Sequence, residues 1–85
     1  MNTGPITPER VAEMIRAGLP GATVQVESDD NTHFSARIVA TRFGGLRPIA
    51  RHQLVYGTLG ALVGREIHAL SIEALTPEEL AASPR

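Results

Sequence analysis

Residues 23–40 read TVQVESDDNTHFSARIVA, and this stretch decides the fold. Val24 and Val26 alternate with Thr23, Gln25 and Glu27, the pattern of a strand buried on one face only. Asp29, Asp30, Asn31 and Thr32 form a polar turn, because short polar side chains bond their own backbone and tolerate tight geometry. Phe34, Ala36, Ile38 and Ala40 then alternate with Ser35, Arg37, Val39 and Thr41. Two half-buried strands joined by a short polar turn predict an antiparallel hairpin, whose apolar face needs a covering layer.

The flanks supply that layer. Upstream, Thr7 and Pro8 read as a helix N-cap and first-turn proline, followed by Val11, Met14, Ile15 and Leu19 on one helical stripe. Leu19, Pro20 and Gly21 close that helix. Downstream, Phe43, Gly44, Gly45 and Leu46 leave the strand, and Pro48 opens a short helical turn leading to Arg51 and His52. A longer helix follows, with Val55, Leu59, Leu62 and Val63 on one face and Gly57 and Gly60 inside it, each costing about 1 kcal/mol against alanine.

Gly64 is the expected stop of that helix. Ile67 to Leu75 reads as a third strand with Leu70 and Ile72 on its buried side and His68 at its beginning, in phase with them. Thr76, Pro77 and Glu79 give the cap, first-turn proline and capping-box glutamate of a short final helix. The order is α-β-β-α-α-β with a short C-terminal helix. It predicts an α+β fold in which helices cover one face of a three-stranded sheet, in a single domain over 1–85 with its core at about 8–80.

Composition narrows the function. The 85 residues carry a net charge of −1, no cysteine and no lysine, so a disulfide, a thiol nucleophile and a self-sufficient thiolate-ligated cluster are all excluded. No nucleophile and base stand out, and no enzymatic activity is expected. No apolar run approaches the roughly 18 residues that span a bilayer, so a soluble, cytoplasmic protein is expected. His33, His52 and His68 lack the local grouping of a complete metal site. A single exposed imidazole can still be one ligand of a site that another protein completes. Between Asp30 and Glu66 there is no acid, while Arg37, Arg42, Arg47, Arg51 and Arg65 lie there, which predicts one mildly basic face.

Four motifs, read in order, carry a resemblance. They are THF at 32–34, Phe43-x-Gly45 followed by Arg51-His52, LVYG at 54–57 and IHALSIEALTPEE at 67–79. Over about residues 8–80 the chain resembles the BolA family, and the VYG element and short hairpin turn are similar to its IbaG-like branch. The resemblance implies a class II KH-like fold lacking the phosphate-clamping GxxG loop. It also implies a partner, a monothiol glutaredoxin of the CGFS type, and a [2Fe-2S] cluster shared with that partner and glutathione, with no cofactor in the isolated chain. His68 matches the family's cluster-ligating histidine.

The second family ligand sits in the loop before Phe34, where this chain has Asp29 and Asp30, and His33 is the only loop-side candidate. Arg51 and His52 match the family's RH pair and, with Arg47, form the expected partner or nucleic-acid surface. The implied role lies in iron-sulfur cluster trafficking, iron homeostasis or stress regulation. The alternative is a KH-like DNA-binding transcriptional regulator, with DNA as partner. Alone, the chain is expected to be a monomer or a weak homodimer through a free sheet edge.

Overall fold

The computed structural model describes residues 6–82, so the expected domain span of 1–85 runs past both ends of what is described. The first helix, α1 (Pro8–Gly18), starts where the sequence places it: Thr7 Oγ1 accepts the Arg10 amide at 3.2 Å and Pro8 opens the first turn. It buries Val11, Ala12 and Ile15, and Leu19 follows into the core. Strands β1 (Thr23–Glu27) and β2 (His33–Val39) form the antiparallel hairpin, with Val24 opposite Ile38 and Val26 opposite Ala36.

The third strand, β3 (Ala69–Leu75), pairs with β2 in parallel, giving the sheet order β1-β2-β3. A parallel partner demands a crossover, and α2 (Pro48–Leu59) supplies it. Both α1 and α2 lie on the face formed by Val24, Phe34, Ala36 and Ile38, closing one core with Phe43, Val55, Leu59 and Ile67. The other sheet face, with Gln25, Glu27, Ser35, Arg37, Ser71 and Glu73, carries no covering helix among the described residues. Gly18 lets the two helices approach, since a Cβ there would stand 2.9 Å from Thr58 Cβ and collide with its Cγ2.

The helical region after β2 differs from expectation in two respects. Pro48 opens a single continuous helix, so Arg51 and His52 belong to α2 itself. That helix ends at Leu59, because Gly60 adopts φ +59° and ψ −132°, a conformation that residues with a Cβ avoid, and gives its amide to the Tyr56 carbonyl. Gly60 is thus the stop, while Leu62 and Val63 fall in a 3-10 turn and the loop after it, half-buried. Gly64 serves a separate turn at φ +89°, donating to the Ile67 carbonyl at 2.8 Å.

That turn inserts Ile67 fully into the core, and β3 begins two residues later than expected. His68, expected in phase with the buried residues, is therefore exposed just ahead of the strand. A short α3 (Pro77–Ala82) closes the chain on the predicted capping box: Thr76 Oγ1 accepts the Glu79 amide at 3.1 Å, and Glu79 Oε1 accepts the Thr76 amide at 2.9 Å.

Candidate functional site

The parallel register places His33 opposite Ala69 at one end of the sheet. His68 immediately precedes Ala69, and both His68 and Ala69 donate their amides to the Thr32 carbonyl, at 2.8 and 3.1 Å. Two residues 35 positions apart thereby meet: the His33 and His68 rings lie edge-to-face, 5.3 Å between centroids and 80° between planes. Both are exposed, the His33 side chain by 60%.

The turn before β2 builds one half of this pair. Ser28 Oγ accepts the Asn31 amide at 2.9 Å and donates to the His33 carbonyl at 2.6 Å, with Asn31 at φ 58°. Asp30 Oδ1 accepts the amides of Thr32 at 3.0 Å and His33 at 2.9 Å, and Oδ2 meets His33 Nδ1 at 2.8 Å. These bonds, the His33 amide foremost and then the Thr32 amide and the ring, hold the Asp30 carboxyl far below the usual carboxylate range. In the sequence Asp30 reads only as a turn residue. Its reach to a side chain three residues on depends on the turn geometry.

His52 lies half-buried on α2 and does not join the pair, since no cluster of three or more potential metal ligands occurs among the described residues. The proposed surface trio is also divided. Arg47 is exposed at the N-cap of α2.

The Arg51 side chain is only 11% exposed and is bound within the fold. Nε donates to the Leu46 carbonyl at 2.9 Å, Nη1 to the Ala74 carbonyl at 3.0 Å, and Nη1 and Nη2 to the two oxygens of Glu79 at 2.6 and 3.0 Å. The guanidinium also stands 5.9 Å from the Phe43 ring centroid. Such a forked, satisfied cation ties the start of α2 to the end of β3 and to α3.

The acid-free stretch is therefore not acid-free in space. Arg37 meets Glu73 at 2.7 Å across the β2–β3 register, and Arg51 meets Glu79. Arg42, Arg47 and Arg65 are the stretch's exposed cations. The Arg51 bond, followed by the Thr76 amide, lowers Glu79 to about 2 from its ordinary value of 4.5. A depressed carboxylate stabilises the fold fully above its unfolded pKa and loses that contribution as pH falls through the folded one. Acid titration of the melting temperature should thus show wild type losing stability between about 4.5 and about 2, a component that Glu79→Gln removes. Parallel titrations of the two proteins would contradict the assignment.

The uncovered sheet face forms a shallow depression of about 380 Å³ lined by Gln25, Glu27, Ser35, Arg37, Ser71 and Glu73, and His33 lies on the same face one row above Ser35. No helix among the described residues is long and apolar enough to cross a membrane.

Comparisons with known proteins converge on one family. A family model described as BolA-like protein matches residues 16–79. The chain is 40% identical over 72 residues to an uncharacterized protein of the rpoN-murA intergenic region in Acinetobacter guillouiae, covering 84% of this chain and 86% of that one. It is 43% identical over 54 residues to human BolA-like protein 1, covering 64% of this chain but only 39% of the human protein. Over 54 residues it is 44% identical to the DNA-binding transcriptional regulator BolA of Vibrio cholerae, covering 64% of this chain and 51% of that protein. The fold matches the structure of a bolA protein homologue from Coxiella burnetii with a TM-score of 0.79 and 35% identity, over 89% of this chain and 97% of that one.

Proposed function

The chain belongs to the BolA-like protein family, whose members are non-enzymatic, and on that premise we propose that it partners a monothiol glutaredoxin of the CGFS type and supplies histidine to a shared [2Fe-2S] cluster. The observation that carries this reading is the pair of exposed imidazoles, His33 and His68, side by side at one end of the sheet.

The donor set fits the group. Imidazole replaces thiolate on one iron in known [2Fe-2S] centres, and a chain with no cysteine must leave the thiolates to its partner and to glutathione. His68 is the principal ligand and His33 the second. Imidazole ligation by these residues would raise the reduction potential of such a cluster, because a neutral imidazole donates less electron density than a thiolate. The chain's own part is to present the two rings, both exposed, at one end of the sheet.

This role serves cluster trafficking or iron and stress regulation in the cytoplasm, with the isolated chain a monomer or weak homodimer. The Val55-Tyr56-Gly57 element and the short 28–32 turn support placement in the IbaG-like branch.

Anaerobic co-purification with a CGFS glutaredoxin and glutathione tests the proposal. The expected result is a heterodimer whose visible circular dichroism differs from that of the glutaredoxin alone; failure to form any complex would overturn it. The name of the Vibrio relative supports a second reading, a DNA-binding regulator using Arg42, Arg47 and Arg65. Pairing of Arg37 and Arg51 within the fold leaves few cations for phosphates, and affinity scales with their number. Saturable binding of a labelled duplex, falling steeply with salt, would favour this second reading.

A further inference from the structure

We propose that Asp30 is a positioning residue that locks the His33 ring in its Nδ1–H form and leaves Nε2 as the one nitrogen His33 offers to a metal; this rests on the reading above. Asp30 Oδ1 is held by two backbone amides, those of Thr32 and His33, so the carboxylate cannot swing away from the turn. Oδ2 is thereby aimed at His33 Nδ1, 2.8 Å away. Thr32 Oγ1 lies on the same nitrogen at 3.0 Å.

An ionised carboxylate has no proton to give, so the short Asp30–His33 contact requires the hydrogen on Nδ1. A neutral imidazole with Nδ1 protonated has its lone pair on Nε2 alone. Carboxylates set the tautomer and basicity of ligating histidines in this manner, behind rather than in the coordination shell. Asp30 itself makes a poor ligand, because both of its oxygens are already committed to donors. The edge-to-face contact with His68 restrains the same ring from the side.

Asparagine at position 30 separates positioning from simple turn-making. Its single amide oxygen replaces Oδ1 on the two backbone amides, since two donors there outweigh one at the ring. Its NH₂ then faces Nδ1 and, being a donor, demands a lone pair there, which moves the ring hydrogen to Nε2. The turn survives while the tautomer inverts.

The test is long-range ¹H–¹⁵N correlation of the histidine rings in the isolated, metal-free chain, above the pH range where imidazole is protonated. Wild type should show His33 as the Nδ1–H tautomer, Asp30→Asn should invert it to Nε2–H with backbone shifts of β2 and β3 retained, and Asp30→Ala should give a mixture. Wild-type His33 found as Nε2–H would overturn the proposal, whether or not any variant folds. So would an Asp30→Asn protein with the wild-type tautomer. Because no metal or partner is present, the tautomer can fail while the glutaredoxin complex forms, and the complex can fail while the tautomer holds.

Discussion

Phe43→Ala is expected to cost about 3–5 kcal/mol of folding stability, the usual range for deleting a large buried aromatic side chain. Phe43 is 0% exposed and heads the fully buried side chains by volume. At roughly 0.05–0.15 kcal/mol per residue, a chain of this length holds only about 4–13 kcal/mol in total. The variant should therefore sit at or near the limit of folding. The loss also reaches the site's framework, because the Phe43 ring supports the Arg51 guanidinium that ties α2 to the end of β3 and to α3. Urea unfolding measures the effect through the midpoint. A change under about 1 kcal/mol would mean that the 3-10 turn Thr41–Phe43 is peripheral to the core.

His68→Ala should have the opposite profile. The side chain is exposed and precedes β3, so stability should change by no more than about 0.5 kcal/mol. Its backbone amide, which pairs with the Thr32 carbonyl, is kept. Cluster retention in the glutaredoxin complex should nevertheless fall by at least about tenfold, the scale on which even outer-shell partners of a ligand act. His33→Ala should cause a smaller loss. Visible absorbance of the co-purified complexes, normalised to protein, reads both effects, and retention equal to wild type in His68→Ala would contradict the ligand assignment.

The features legible in the sequence are those written in local pattern. Alternation in 23–40 marks the hairpin and its buried face, the Val11–Leu19 stripe marks α1, and Thr76 with Glu79 marks the final cap. Features set at long range leave no such local pattern. Gly60 and Gly64 are both plausible helix stops, and the choice falls on Gly60 because the chain must turn again at Gly64 to bury Ile67. The same turn delays β3 and moves His68 from the expected buried phase to the surface.

Arg51 reads as a surface cation beside His52 until Glu79, 28 residues away, folds against it. Both histidines of the pair are visible in the sequence as candidates, yet their meeting requires the parallel β2–β3 register, which no local pattern encodes. The role of Asp30 is hidden for a related reason, since a polar turn accepts many short side chains and only its three-dimensional course aims one carboxylate at one ring.

If an imidazole of this chain ligates a cluster held jointly with a glutaredoxin, its nitrogen is coupled to the electron spin of the reduced metal. The chain would be labelled with ¹⁵N-histidine, assembled anaerobically with unlabelled CGFS glutaredoxin and glutathione, reduced, and examined by electron-nuclear double resonance, with His68→Ala in parallel. A strongly coupled ¹⁵N signal is expected in wild type and a markedly weaker one in His68→Ala, where His33 is the remaining ligand. A reduced cluster in the wild-type complex without strong ¹⁵N coupling would contradict such ligation.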